Sequence, residues 1–144
     1  MQMLNFTNNC YLEEENSIYM TKNAIAWIRE DFRIEHNPAL SYATQNHENV
    51  IALYIYNKND FDNKREAQKW WLFKSLEIFK SELSKYKINL QILAGDEIDI
   101  FSKIKKKDDV SIYWNKIYEP DVIARGKIIR NALLKNEVKF KYFK

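Results

Sequence analysis

The chain has 144 residues, enough for one domain with a substantial core. Hydrophobic residues at 46% and aromatics at 15% exclude a disordered polymer, which buries too little apolar surface to offset its chain entropy. The net charge of +3 arises from acidic and basic residues mixed along the chain, so it permits a nucleic-acid partner without arguing for one.

Cys10 is the single cysteine, which rules out an intramolecular disulfide framework and suits a reducing cytoplasm. With only His36 and His47 beside it, no Cys/His set with zinc spacing exists, and no metal site is expected. No apolar run approaches the ~20 residues of a membrane span. Glu13, Glu14 and Glu15 stand where a signal peptide would be basic and then apolar. A soluble cytoplasmic protein without a membrane partner is the expectation. The two glycines cannot build G-x-G-x-x-G or a phosphate-binding P-loop, so a nucleotide-like ligand must be held by other means.

Residues 1–22 show no sustained periodicity and read as an N-terminal tail. Met20 stands just before the first apolar run and is a candidate start. The other reading is a short helix docked on the domain through Leu4, Phe6, Tyr11, Leu12 and Ile18. From residue 23 to 144 the pattern is that of one domain. The runs Ala24–Ile28, Val50–Tyr56, Ile88–Ala94, Val110–Trp114 and Val138–Tyr142 read as strands. They are mostly continuous rather than alternating, as in strands covered on both faces.

Four helices are predicted between them. The first opens at Asn37-Pro38, an N-cap followed by proline at the first helical position. The second opens at Asn63, with Glu66 at capping-box spacing, and its Ala67, Trp70, Trp71, Phe73, Leu76, Phe79, Leu83 and Tyr86 form a broad apolar face. The two tryptophans are expected to cover the sheet, with an exposed ligand platform as the alternative. The third opens at Asp96 and the fourth at Pro120. Alternating strands and helices imply a Rossmann-like three-layer α/β/α sandwich around a five-stranded parallel sheet.

In such a sheet ligands bind beyond the carboxyl ends of the strands. After the first strand come Arg29, Asp31, Arg33, His36 and Asn37, a polar network or a surface ion-pair cluster. After the fourth come Asn115, Tyr118, Glu119, Pro120 and Asp121, leading to Arg125 and Arg130. This segment is either plain helix capping or a site where Asn115 and a carboxylate hold a polar heterocycle. Asp108 and Asp109 read as a turn, and Lys103–Lys107 as a solvated helix end. No nucleophile–base pair can be assigned, so no catalytic residue is expected.

Residues 24–40, Ala-Ile-Ala-Trp-Ile-Arg-Glu-Asp-Phe-Arg-Ile-Glu-His-Asn-Pro-Ala-Leu, resemble the opening of the photolyase/cryptochrome family, W-F-R-x-D-L-R-x-x-D-N-P-A-L. Val50–Tyr56 is similar to its second strand, and Arg65–Asp96 to its long helix and third strand, closing on Gly95-Asp96. Asn115–Arg125 resembles its N-x-x-Y-E-P-x-x-x-x-R segment. Four matches in order on strand-to-helix junctions span the domain.

The resemblance implies the family's N-terminal α/β domain, which holds an antenna chromophore. It implies DNA repair, or cryptochrome-type photoreception, only with a FAD-binding helical domain of the same or a companion chain. That domain would flip the pyrimidine dimer out of DNA and split it with light; damaged DNA is met only through it. This chain alone is expected to be inactive. By carry-over, Asn115, Tyr118, Glu119 and Asp121 are the chromophore-binding candidates. Arg29, Asp31, Arg33, Asn37 and Arg125 are structural or interdomain. Folate-binding members follow the Tyr-Glu pair, after one residue, with Asn-Glu; Asp121 and Val122 stand there instead. The lost acceptor points to a deazaflavin or flavin rather than a folate. His36 and Glu30 also depart from the usual aspartate and basic residue. A stand-alone nucleotide- or flavin-binding or interaction module on the same fold is the other reading.

Overall fold

The computed structural model describes residues 21–144, so the expectations for the tail before Thr21 lie outside the described residues. Five strands, β1 (Asn23–Ile28), β2 (Asn49–Tyr56), β3 (Asn89–Ala94), β4 (Val110–Asn115) and β5 (Lys139–Phe143), form one parallel sheet in the order β3-β2-β1-β4-β5. Helices α1 (Pro38–Asn46), α2 (Lys58–Asp62), α3 (Glu66–Ser84), α4 (Glu97–Lys107) and α5 (Pro120–Lys135) make the crossovers. The three-layer α/β/α sandwich expected from the alternation is the fold observed.

Strand order turns back at β1, which lies between β2 and β4, so α1 and α3 pack on one face and α4 and α5 on the other. On the first face Ala26, Ala52 and Leu90 meet Leu72, Leu76, Phe79 and Leu83 of α3. Tyr113 and Phe143 meet Ala39 and Ala43 of α1 on the same side. Small residues in β1 and β2 are what let these helices approach the sheet closely. The second face holds the aromatic core: Trp27 sits edge-on to Phe101 at 5.3 Å and to Trp114 at 5.2 Å, and Trp114 stacks on Phe140 at 5.4 Å. Edge-to-face and offset contacts at these separations are the favoured geometries for aromatic quadrupoles.

Three helix starts follow the sequence. Asn37 Oδ1 accepts from Leu40 N, Asp96 accepts from Ile98 N and Asp99 N, and Pro120 takes the first position of α5. The long helix departs from expectation at its beginning. Asn63 does not cap it but ends the short α2, which Asn57 opens by accepting from Asp60 N. The cap of α3 is Arg65, whose N–H donates to Gln68 Oε1 at 3.0 Å. Asn57 sits closer to the end of β2 and claims the chain first, so the box moves two residues on.

The tryptophans of α3 also depart from expectation. Trp70 and Trp71 are 62% and 60% exposed, and Phe73 and Ile78 are exposed beside them. At 3.6 residues per turn, Leu72, Leu76, Phe79 and Leu83 already fill the stripe that reaches the sheet. An apolar face broader than one stripe cannot all face the same way.

A polar clasp and an open rim at the carboxyl edge

Asn115, the last residue of β4, closes the loop that follows β1. Its Nδ2 donates to Asp31 Oδ2 and to Asn37 Oδ1, both at 2.7 Å. Its Oδ1 accepts from Ala39 N at 3.0 Å, and its carbonyl accepts from Arg29 at 2.7 Å. Asp31 in turn takes the N–H of Arg29 on its other oxygen, and Asn37 Nδ2 donates to the carbonyl of Arg33. Every polar atom of the Asn115 side chain is therefore satisfied within the protein. Asn37 is 1% exposed, so this network is the means by which a buried amide escapes its desolvation cost.

Arg29 lies over the Trp27 ring at 4.6 Å. Burial pushes its pKa down from the ordinary arginine range, and the carboxylates of Asp31, Glu97 and Glu30 oppose that push. Arg33 turns aside, its Nε donating to the carbonyl of His36 at 3.0 Å. His36 has φ 55, in the left-handed region that Asn, Asp and Gly tolerate best. The loop keeps that conformation because Arg33 and Asn37 hold it from both sides.

On the other side of the edge, Arg125 of α5 reaches back to α4, with Asp96 at 2.6 Å and Glu97 at 3.1 Å. Although its own burial disfavours the charge, the hydrogen bonds and charges of Glu97 and Asp96 raise its pKa. Gly95, with φ +144, turns the chain from β3 into this cluster, and its N–H bonds the carbonyl of Tyr56. No local pattern places Glu97 beside Arg125; that pairing follows from α4 and α5 packing side by side on one face.

Of the candidate ligand residues, the structure takes Asn115 into the clasp and leaves three on the rim. Tyr118 is 62% exposed, with Lys116 Nζ 5.7 Å from its ring centroid. The side chains of Glu119 and Asp121 are exposed and have no partner among the described residues. Val122, half-buried, offers no acceptor. Open carboxylates beside an aromatic face suit a flat heterocycle bearing N–H donors. The donor set is poor for a metal, and no cluster able to hold one occurs among the described residues. No helix there is long and apolar enough to cross a membrane.

Comparison with known proteins bears directly on this edge. The DNA photolyase family model matches residues 24–144. The chain is 32% identical over 114 residues to deoxyribodipyrimidine photo-lyase of Agrobacterium fabrum, covering 78% of this chain and 24% of that protein. It is 28% identical to Cryptochrome-2 of Arabidopsis thaliana, over 83% of this chain and 20% of that protein. It thus spans about a quarter or less of these relatives' length. Among solved structures, the class III photolyase of Agrobacterium tumefaciens superimposes with a TM-score of 0.77 at 29% identity, covering 88% of this chain and 26% of that one. The Sulfolobus tokodaii photolyase, which carries two FAD molecules and implicates a novel light-harvesting cofactor, gives 0.74 at 30% identity over 85% of this chain and 29% of that one. The matched segment includes both the clasp and the rim, and the chain belongs to the DNA photolyase family as its N-terminal α/β domain.

Proposed function

We propose that this domain is the antenna half of a photolyase-type flavoprotein, with the chromophore seated on the rim formed by Tyr118, Glu119 and Asp121. The observation that carries the reading is the division of labour at the carboxyl edge: the clasp consumes Asn115, while the next carboxylates and an aromatic ring stay open. Asn115 is then a positioning residue, fixing where β4 ends and hence where Tyr118 stands. A bound chromophore would absorb light and pass the excitation onward. The domain's own residues accept hydrogen bonds from the ring edge (Glu119, Asp121) and cover one ring face (Tyr118). With valine at position 122, a deazaflavin or flavin suits the rim better than a folate.

Light-driven repair would belong to a FAD-binding helical domain of the same or a companion chain, and damaged DNA would be met only through it. The exposed Trp70, Trp71 and Phe73 on α3 support a docked partner, because large aromatics grouped on a soluble surface mark interaction sites. They weigh against a self-sufficient module that is polar all round.

The test mixes the purified chain separately with 8-hydroxydeazaflavin, FMN and methenyltetrahydrofolate and follows fluorescence and absorbance. Saturable binding of a deazaflavin or FMN is expected, weakened at least about tenfold by Glu119→Gln, the loss of about 1.4 kcal/mol that one charge-assisted hydrogen bond contributes. Absence of binding by all three would remove the antenna reading.

A further inference from the structure

The sheet has two edges, β3 and β5, and they are built differently. β5 carries Lys139 and Lys141 along its length, an ordinary device by which proteins discourage further strands from adding to an edge. β3 reads Asn89-Leu-Gln-Ile-Leu-Ala, with no charge and no proline. It follows β2 in unbroken register from Ile51–Asn89 to Tyr56–Ala94, so no bulge turns it away either. Among the described residues, nothing bonds the backbone N–H and C=O groups on its outer side. Apolar side chains flank this edge on both faces of the sheet. Ile92, 43% exposed, shares the α3 face with the buried Leu90; Leu93, 37% exposed, lines a groove with Ile51 on the other face. The antenna reading gives this edge no role. We infer that a second copy of the chain adds here, β3 against β3 in antiparallel sense, joining two five-stranded sheets about a two-fold axis.

Three features select a second copy rather than a loose peptide strand. The first is symmetry. A two-fold axis through Ile92 sets that side chain against the partner's Ile92, and Leu93 against the partner's Gln91, because directly opposed residues of antiparallel strands share a face. The second is charge. The seam has none, so identical strands meet without the like-charge repulsion that lysines would bring at β5.

The third is the helix beside the strand. Phe79 and Phe73 stand about 60° to either side of Leu76 on α3. Phe79 meets Phe32 of the loop after β1 at 6.0 Å, so Phe73, which is exposed, leans the other way, toward the free edge of β3. A peptide strand would leave Phe73 bare. A second copy brings its own α3 alongside, widening the contact beyond the strand pair toward the ~1,000 Å² of a specific interface. Trp71, about 160° round α3 from Phe73, lies outside this contact and stays open to a docked partner.

Sedimentation equilibrium of the purified chain provides the test. A dimer is expected, with its dissociation constant raised at least about tenfold by Ile92→Lys, which opposes two like charges at the axis. Because position 92 lies on an exposed edge, circular dichroism and the unfolding midpoint should stay those of the parent chain. Trp71→Ser should leave the dimer constant unchanged and act only on association beyond the dimer. In a mixed sample of isotope-labelled and unlabelled parent chains, filtered NOEs should link the Ile92 methyls of one copy to the partner's Ile92. A chain that stays monomeric, or a dimer that survives Ile92→Lys or lacks those NOEs, overturns the assignment. A dimer lost with Trp71→Ser alone places the interface on the outer face of α3 and overturns it equally.

Discussion

Two stretches meet at the carboxyl edge of the sheet, and they use the same residue types for opposite ends. In the loop after β1, Asp31 and Asn37 turn inward and are tied to Asn115 at 2.7 Å each. In the loop after β4, Glu119 and Asp121 turn outward and remain exposed. A carboxylate or amide at a strand end is thus no indication of a ligand site until its partners are known. What separates the two stretches is whether another strand end lies within hydrogen-bond reach. β1 has β4 beside it, whereas beyond Lys116, whose N–H still bonds Phe143 O, the side chains of Tyr118, Glu119 and Asp121 face solvent.

The sharpest way to break this comparison is at its shared residue. Asn115→Leu removes three side-chain hydrogen bonds and takes the partner from Ala39 N–H and from one oxygen of Asp31; we expect a loss of about 3 kcal/mol in urea unfolding. Asn37→Ala should cost about 2 kcal/mol, combining a lost helix cap with the loss of one of the two acceptors of Asn115 Nδ2. By contrast, Tyr118→Ala and Glu119→Gln on the open rim should change stability by less than about 0.5 kcal/mol while lowering chromophore affinity. If the rim variants unfolded the domain as readily as the clasp variants, the division between them would fail.

The same logic applies to α3, where replacing Trp70 and Trp71 together by serine should leave the unfolding midpoint nearly unchanged and reduce self-association at high concentration. The smallest effect is a pH dependence. His47 is half-buried between the Thr21 carbonyl and the Tyr113 hydroxyl, and burial lowers its pKa, outweighing the bond to Thr21. The unfolded chain therefore holds the proton more tightly, and stability should decline as pH falls below about 6.5. Thermal melts from about pH 7.5 downward should show the decline in the native chain and a flatter profile in His47→Phe.

Much of the fold was legible in the sequence. Continuous apolar runs mark strands covered on both faces, and local chemistry marks helix starts, because a cap such as Asn37 or Asp96 needs only backbone N–H groups two or three residues away. The family pattern was readable for the same local reason, since its motifs sit on strand-to-helix junctions. Tertiary structure decided whatever depends on which segments become neighbours. Trp70 and Trp71 share helical periodicity with Leu76 and Phe79, but only the packing of α3 on β2 and β3 chose which stripe would be buried. Asn115 read as a ligand residue, and only the adjacency of β1 and β4 turned its amide inward. The pairing of Arg125 with Glu97, 28 residues apart, likewise required α4 and α5 to lie side by side. Sequence determines what each residue can offer within a turn or two of its own backbone; the fold determines which offers are taken, because burial and hydrogen-bond partners come from across the sheet.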